Sequence, residues 1–566
     1  MRKDWVLKNE VDFQIVEELS ASLKIDSILA RLLVQRGIDT FDKSHNFFRP
    51  SISDLHDPFL MKDMTIAIDR IEEAIKAGEN VLIYGDYDVD GTTSVALLYS
   101  FFKGKFKKID YYIPNRYLEG YGISERGIEY AYENNISLMI TIDCGIKAYD
   151  EIEAANEKMI DVIICDHHFP GEKIPNAIAV LNPKQEDCNY PYKHLSGCGV
   201  GFKLIQAFAN KNNIKFYKLE QYLDLLCLSI ASDLVPITGE NRILAHFGLV
   251  RLQKFPRLCI SKIIKGAGSK IEDLTVTDII FKIGPRINAA GRMDSGEKAV
   301  ELLLAKDEES AKQLADIIED YNDSRKKLDS SITENAINLI KENKELINKK
   351  TTVLYNPDWH KGVIGIVASR LIEVYYRPTV ILAKSNGLVT GSARSVDGYD
   401  IYEAIESCSE YLESFGGHKF AAGLTLKEEN VEKFYEKFEN FVSQNIKNDQ
   451  LKARIEVDQE ISLKDINSKF FRILKQFQPF GFGNLNPVFV SNNVIGTARK
   501  VGRLAEHLKL DIFDIDESVM IPGIAFRQAD KFDLISEDQP FSLCYTIEEN
   551  TFNNKTSIQL MIHDIH

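Results

Sequence analysis

Between residues 80 and 185, short apolar runs alternate with helix-like segments, and three of the runs end in acids. The runs are Val81–Tyr84, Ile109–Ile113, Leu138–Ile142, Val162–Cys165 and Ala177–Leu181. Between them, Thr93–Phe102, Glu125–Asn134 and Ala148–Met159 carry apolar residues at helical spacing. Strand–helix–strand alternation of this kind predicts an α/β fold, a parallel sheet covered by helices on both faces. Ligands of such sheets gather beyond the carboxyl ends of the strands.

A mainly helical stretch follows over roughly 190–305. From Glu297 to Asn356 there is neither glycine nor proline, which predicts a long connecting helix, placed at 306–349. Thr352–Leu354, Thr379–Ala383 and Gly423–Leu426 flank apolar helical stretches and predict a smaller α/β domain over 350–447. The last segment, 448–566, has short β-type runs such as Pro487–Val490, Leu508–Phe513 and Ser557–Ile562. It reads as a small closed or Greek-key β domain. The first domain is taken as 1–305, with its core at about 80–240.

The 566 residues hold 69 basic and 84 acidic side chains, a net charge of −15, which argues against a simple polyanion binder. An apolar fraction of 44% excludes a disordered chain. No apolar run approaches the ~20 residues needed to span a bilayer. The start, Met1-Arg2-Lys3-Asp4-Trp5, lacks the apolar stretch of a signal peptide. The cysteines (144, 165, 188, 198, 227, 259, 408 and 544) form no CxxC pair, so reduced thiols are expected. A soluble cytoplasmic protein is the expectation.

The chemistry begins at Tyr84-Gly85-Asp86-Tyr87-Asp88-Val89-Asp90-Gly91, three carboxylates at alternate positions directly after an apolar strand. Like charges so close repel unless a cation neutralises them. Leu138–Ile142 runs into Asp143-Cys144-Gly145, and Val162–Cys165 runs into Asp166-His167-His168. With Asp233, in Ser232-Asp233-Leu234, these form a mixed carboxylate and imidazole set. Such a set suits Mn²⁺ or Mg²⁺ better than zinc, which would recruit the cysteines. A shared carboxylate would hold two cations about 3.5–4 Å apart, the arrangement of metal-assisted phosphoester hydrolysis.

These motifs resemble the DHH phosphoesterase superfamily and, within it, the RecJ family of single-strand-specific 5′→3′ exonucleases. The likeness extends through Pro114-Asn115-Arg116 with Glu119–Gly122, Gly284–Arg292, Trp359–Ala368, Ser392-Ala393-Arg394 and Gly416-Gly417-His418. It implies a DHH catalytic domain, a DHHA1 domain at 350–447 and an OB-fold at 448–566, the last including Gln478–Asn484. It implies two Mn²⁺ ions, with Mg²⁺ an open substitute. Asp88 and Asp143 would hold one ion, and Asp90, Asp143, His167 and Asp233 the other, with Asp143 as bridge. Asp86 is either a ligand or an outer acid, and His168 would face the substrate phosphate. The implied strand contacts are Arg116, Tyr121, Arg286, Asn288, Arg292, His360, Ser392, Arg394, Gly417 and His418, with Ser392 and Arg394 gripping a terminal phosphate. One departure is Tyr84, where many members have histidine, which removes a third ligand from the first metal.

The resemblance implies hydrolysis of single-stranded DNA to mononucleotides in repair and recombination. A monomer is expected, with a helicase and a single-strand-binding protein as partners and no membrane. Metals on one wall and the phosphate reader on the other would line a cleft around the long helix. Two other readings stand beside it: a DHH hydrolase of small phosphoesters, and a non-catalytic DNA-binding replication factor. The barrel segment, with 13 basic and 16 acidic residues over 451–566, is no strongly basic patch.

Overall fold

The computed structural model describes residues 3–535, 539–552 and 555–566, so Met1 and Arg2 of the N-terminal run lie outside it. The chain divides into two compact units. One runs from His45 to Ser324 and includes Phe477–Leu485; the other comprises the stretch up to Ser44, Arg325–Gln476 and Asn486–His566.

A short strand, β1 (Asp4–Leu7), comes first. The His45–Ser324 unit is then built on β2 (Asn80–Gly85), β3 (Lys108–Tyr112), β4 (Leu138–Ile142), β5 (Asp161–Cys165) and β6 (Ala179–Leu181). Their order is β3-β2-β4-β5-β6 and every pairing is parallel. Runs buried on both faces are the mark of a sheet covered twice. Val81, Ile83, Ile140 and Ile163 pack with Leu97, Phe102 and Phe202 of helices Val89–Phe102 and Gly197–Lys211. Leu82, Met139, Val162 and Ile164 pack with Ile128 and Ile152 of helices Glu125–Glu133 and Tyr149–Glu157. The predicted parallel sheet is present.

The predicted connector is interrupted. Helix Glu297–Leu304 ends at Ala305, a helix of 35 residues runs Glu308–Glu342, and Asn343 starts a further short helix, Lys344–Asn348. Asn343 stops the long helix because its Oδ1 accepts from Glu345 N at 2.9 Å, capping the next one.

In the other unit, β7 (Thr352–Tyr355), β8 (Thr379–Ser385), β9 (Leu388–Arg394), β10 (Leu412–His418) and β11 (Ala421–Leu426) form a mixed sheet ordered β10-β11-β9-β8-β7. Gly416 and Gly417 lie within strand β10, at the sheet edge. Next come β12 (Arg454–Val457) and β13 (Gln459–Glu460). After them β14 (Phe489–Val501), β15 (His507–Asp514), β16 (Met520–Ala525), β17 (Phe541–Phe552) and β18 (Lys555–Ile565) close a five-stranded barrel, because β14 pairs with both β15 and β17.

Residues up to Ser44, expected within the first domain, group instead with this second unit. β1 pairs in parallel with β12, Trp5 Nε1 donates to Asp564 Oδ2 at 2.9 Å, and the Trp5 ring stacks on His566 at 4.1 Å. All eight cysteines are free and buried. Among the described residues no helix is long and apolar enough to cross a membrane.

Candidate metal centre and nucleic-acid contacts

Because β2, β4 and β5 run parallel, their carboxyl ends deliver Asp86, Asp143 and Asp166-His167 to one edge of the sheet. Asp88 is the N-cap of helix Val89–Phe102, its Oδ1 accepting from Gly91 N at 3.0 Å, and Asp90 sits in that helix's first turn. Asp233 closes helix Leu223–Ser232. His167 Nε2 lies 3.2 Å from Asp143 Oδ1, 3.5 Å from Asp233 Oδ2 and 3.8 Å from Asp90 Oδ2. Among the described residues, two groups therefore have ligand atoms close enough to share an ion: Asp90, His167 and Asp233, and Asp143, His167 and His168.

Asp90 is fixed by the protein. Its Oδ2 accepts from Gly197 N at 2.7 Å, and its Oδ1 from Cys198 N at 2.8 Å and Ser229 Oγ at 2.7 Å. The carboxylate thus rests on the amino end of helix Gly197–Lys211, where free N–H groups favour negative charge. Asp143 takes φ +60, and its backbone N–H donates to Cys165 O at 2.9 Å.

The set fits divalent cations. Both carboxylate oxygens of Asp86, Oδ1 of Asp143 and both ring nitrogens of His167 are buried with no hydrogen-bond partner. Burial and then repulsion from neighbouring aspartates push the carboxyls of Asp86, Asp88, Asp143 and Asp233 above their ordinary range. Burial also takes His167 down to about 4, leaving the neutral imidazole that a metal binds. Such unmet acids call for positive charge. Asp90, Asp143, His167 and Asp233 would hold it, with Asp86, Asp88 and His168 alongside.

Asp166 takes another part, one that reading the motif as a ligand set misses. Its Oδ1 accepts from His167 N at 2.7 Å, His168 N at 3.1 Å and His168 Nδ1 at 2.7 Å, and its Oδ2 from Ile146 N at 2.9 Å. Burial opposes ionisation, yet the hydrogen bond and charge of His168 hold this carboxyl at about 2. The same bond raises the His168 imidazole against its own burial. The ring's Nε2 then faces Tyr121 OH at 3.3 Å, while that hydroxyl donates to Asp143 O at 3.0 Å. Asn182 Nδ2 supports His168 O at 2.8 Å. The legible sign of the helix amino end was Ser196 before Gly197-Cys198-Gly199, since its Oγ accepts from Gly199 N at 3.1 Å.

Around this centre, the Arg116 guanidinium lies 5.1 Å from the Tyr87 ring centroid and its charge acts on Asp86. Asn288 Oδ1 accepts from Val89 N at 3.0 Å, so it braces the acidic turn. Arg286 forks onto Glu319 at 2.6 and 3.1 Å and donates to Lys282 O at 2.8 Å; the structure commits this arginine to an ion pair. Arg292 accepts the Tyr117 hydroxyl on its carbonyl. Tyr84 is wholly buried: its ring stacks on Tyr112 at 5.3 Å, and its hydroxyl donates to Gly122 O at 3.0 Å and accepts from Ser124 N at 3.1 Å.

His360, Ser392, Arg394, Gly417 and His418 belong to the other unit. Arg394 pairs across the sheet with Ala421, and Ala421 with His418, so Arg394 and His418 share a row and a face. Arg394 Nη1 donates to Ser392 Oγ at 3.1 Å and to Ala393 O at 2.7 Å. A β-carbon placed on Gly365, in the first turn of helix Ile364–Tyr375, would lie 2.8 Å from Arg394 Nη2. A guanidinium and a hydroxyl beside a helix amino end suit a phosphate. Gly417, at φ +150, lies where a β-carbon would come 2.8 Å from Ala422 Cβ on the paired strand, and it precedes His418, whose Nδ1 accepts from Phe420 N at 3.3 Å.

Residues 80–230 match the DHH family, N-terminal domain; 348–444 match the DHHA1 domain, and 457–564 the RecJ OB domain. The chain is 36% identical over 552 residues to the single-stranded-DNA-specific exonuclease RecJ of Bacillus subtilis, covering 97% of this chain and 69% of that protein. It is 34% identical to the RecJ of the same description from Haemophilus influenzae, covering 88% and 89%. The crystal structure of RecJ in complex with Mn²⁺ from Thermus thermophilus superposes with a TM-score of 0.85 at 25% identity, over 100% of this chain and 79% of that one. With an acidic, histidine-bearing edge on its parallel sheet and all three domains in order, the chain belongs to the RecJ family of DHH phosphoesterases.

Proposed function

We propose that this protein is a metal-dependent exonuclease that hydrolyses single-stranded DNA from its 5′ end to mononucleotides, in repair and recombination. The observation that carries the reading is the convergence of Asp90, Asp143 and Asp233 on one buried imidazole, with Asp143 Oδ1 and both Asp86 oxygens left without a hydrogen-bond partner. Bound divalent cations, two Mn²⁺ or Mg²⁺ in their place, supply neutralising charge and a more acidic water.

The chain's own residues do the rest. Asp143 would be the bridging carboxylate, its Oδ1 lying 3.2 Å from Nε2 of His167, the residue that the two ligand groups share. His168, locked by Asp166 through Nδ1, presents Nε2 to a non-bridging phosphate oxygen and offsets charge as it develops. Water attacks phosphorus, the P–O3′ bond of the terminal nucleotide breaks, and the new 5′-phosphate stays on the shortened strand. Ser392 and Arg394 grip a 5′-phosphate, and each cycle regenerates the group they hold. Arg116, Tyr121, Asn288, Arg292, His360, Gly417 and His418 serve strand contact, and the barrel binds single strands by stacking and backbone contacts. A helicase and a single-strand-binding protein are the expected partners of a cytoplasmic monomer.

A hydrolase restricted to small phosphoesters has no use for the closed barrel, and a non-catalytic factor has no need of the whole acid and histidine set. The test uses single strands labelled at either end, with and without Mn²⁺. A 5′-labelled strand should release labelled mononucleotide from the first time points, and a 3′-labelled one should shorten progressively. Early mononucleotide from the 3′ label would overturn the polarity; a dinucleotide cleaved faster than a long strand would favour the small-phosphoester reading.

A further inference from the structure

Residues Phe477–Leu485 group with the His45–Ser324 unit, although Gln476 before them and Asn486 after them group with the other. Their anchorage is specific. Arg242, buried on helix Gly239–Lys254, donates from Nη1 to Phe477 O and from Nη2 to Gln478 O, both at 3.0 Å. The same guanidinium reaches Phe47 O at 3.1 and 3.2 Å and lies 3.7 Å from the Phe47 ring centroid. Asn484, 2% exposed, donates to Phe477 O and Pro479 O at 2.9 Å, folding the stretch into a tight strap. Gly481 and Asn484 exchange backbone hydrogen bonds at 3.0 and 2.9 Å.

The strap lies against Pro236–Thr238. Ile237 N donates to Phe482 O at 2.7 Å, and Gly481 abuts the Ile237 side chain. Gly483 holds φ +73, and a β-carbon there would come 2.9 Å from Pro236 Cβ. The clamped residues follow Asp233 closely in the chain, which leaves the helix capped by Asp233 through Leu234 at φ +56. A non-glycine residue in that region persists only where its surroundings impose it. Tyr192 OH and Asn241 Nδ2 hold Pro236 O at 3.0 Å from the other direction.

We infer that Phe477–Leu485 is a positioning element of the metal centre: by fixing Pro236 and Ile237 it sets the Asp233 carboxylate against His167. The sequence places this strap in the barrel segment, whereas its backbone serves the cation site. Coupling of this kind is reciprocal, so a bound cation must also tighten the strap. The inference rests on Asp233 as a cation ligand.

Mn²⁺ titration calorimetry on the full chain separates the two ideas. Gly483→Ala should weaken Mn²⁺ binding at least tenfold, and raising Mn²⁺ should restore the hydrolysis rate. Gly387→Ala, which imposes a similar backbone strain at φ +80 with nothing within 4 Å, should stay within twofold of the parent. If Asp233→Asn binds Mn²⁺ as the parent does, the ligand reading fails and the strap reading with it. If Asp233→Asn weakens binding and Gly483→Ala does not, the strap reading alone fails; equal weakening by Gly387→Ala also overturns it. Hydrogen exchange on the unaltered protein decides the matter should Gly483→Ala not fold. Mn²⁺ should slow exchange severalfold in peptides covering 233–238 and 477–485 together, and an unchanged strap would refute the coupling.

Discussion

Asp166 and Asp143 stand at equivalent strand ends and differ in what their oxygens meet. Asp166 is saturated with four donors, two of them from His168, while Asp143 Oδ1 has no hydrogen-bond partner. The first orients a histidine, and under the proposed function the second would hold a cation. Asp166→Asn should therefore keep the fold and Mn²⁺ binding but turn an amide N–H toward a donor. Supporting groups of this kind are worth about 10- to 100-fold. The expected result is a fall of that size in the rate on single-stranded DNA at saturating Mn²⁺, and a parental rate would refute the role. Tyr84 shows the same separation of neighbours. Its side chain is committed to Tyr112, Gly122 and Ser124, so the position works here as a brace between β2 and the loop before helix Glu125–Glu133.

Among the elements, helix Gly284–Met293 does more than its motif implies. Its Arg286 is tied to Glu319, and its Asn288 to the N–H of Val89. Gly291 faces Tyr87 so closely that a β-carbon would lie 2.7 Å from the Tyr87 carbonyl oxygen. The helix is a buttress behind the turn that carries Asp86, Asp88 and Asp90. Gly291→Ala should push the helix off that turn at a cost of about 1–3 kcal/mol, the usual penalty of overpacking. Urea unfolding followed by circular dichroism checks this, and a midpoint equal to the parent's would remove the buttress from the account. The rate should fall as well, since the acidic turn is what moves.

For the whole molecule, the relevant balance is charge. The net −15 counts acids that repel one another at the sheet edge, and that repulsion is a stability cost until a cation enters. An ion that binds only the folded state stabilises it by RT ln(1 + [L]/Kd), about 2.7 kcal/mol at 100 times Kd. Mn²⁺ should raise the urea midpoint of the parent by a corresponding amount and leave that of Asp143→Asn nearly unchanged. Equal shifts in both would place the stabilising ion elsewhere.

What the sequence determined by itself was the parallel sheet and the residues at its edge. Both follow from local pattern, since continuous apolar runs make doubly covered strands and an acid just past such a run lies at its carboxyl end. The order of a larger α/β, a smaller α/β and a β-rich segment was legible for the same reason, through runs and breaks along the chain. Tertiary structure alone decided the partners of the long side chains. Arg286 could be read as a phosphate contact until Glu319 was seen beside it, and Asp166, given no role of its own by the motif, orients His168 through its four donors. It also decided that β1 joins β12, and that Phe477–Leu485 packs against Pro236–Thr238. Hydrogen bonds between segments hundreds of residues apart leave no periodicity in either one, because each backbone group looks the same whatever it will pair with.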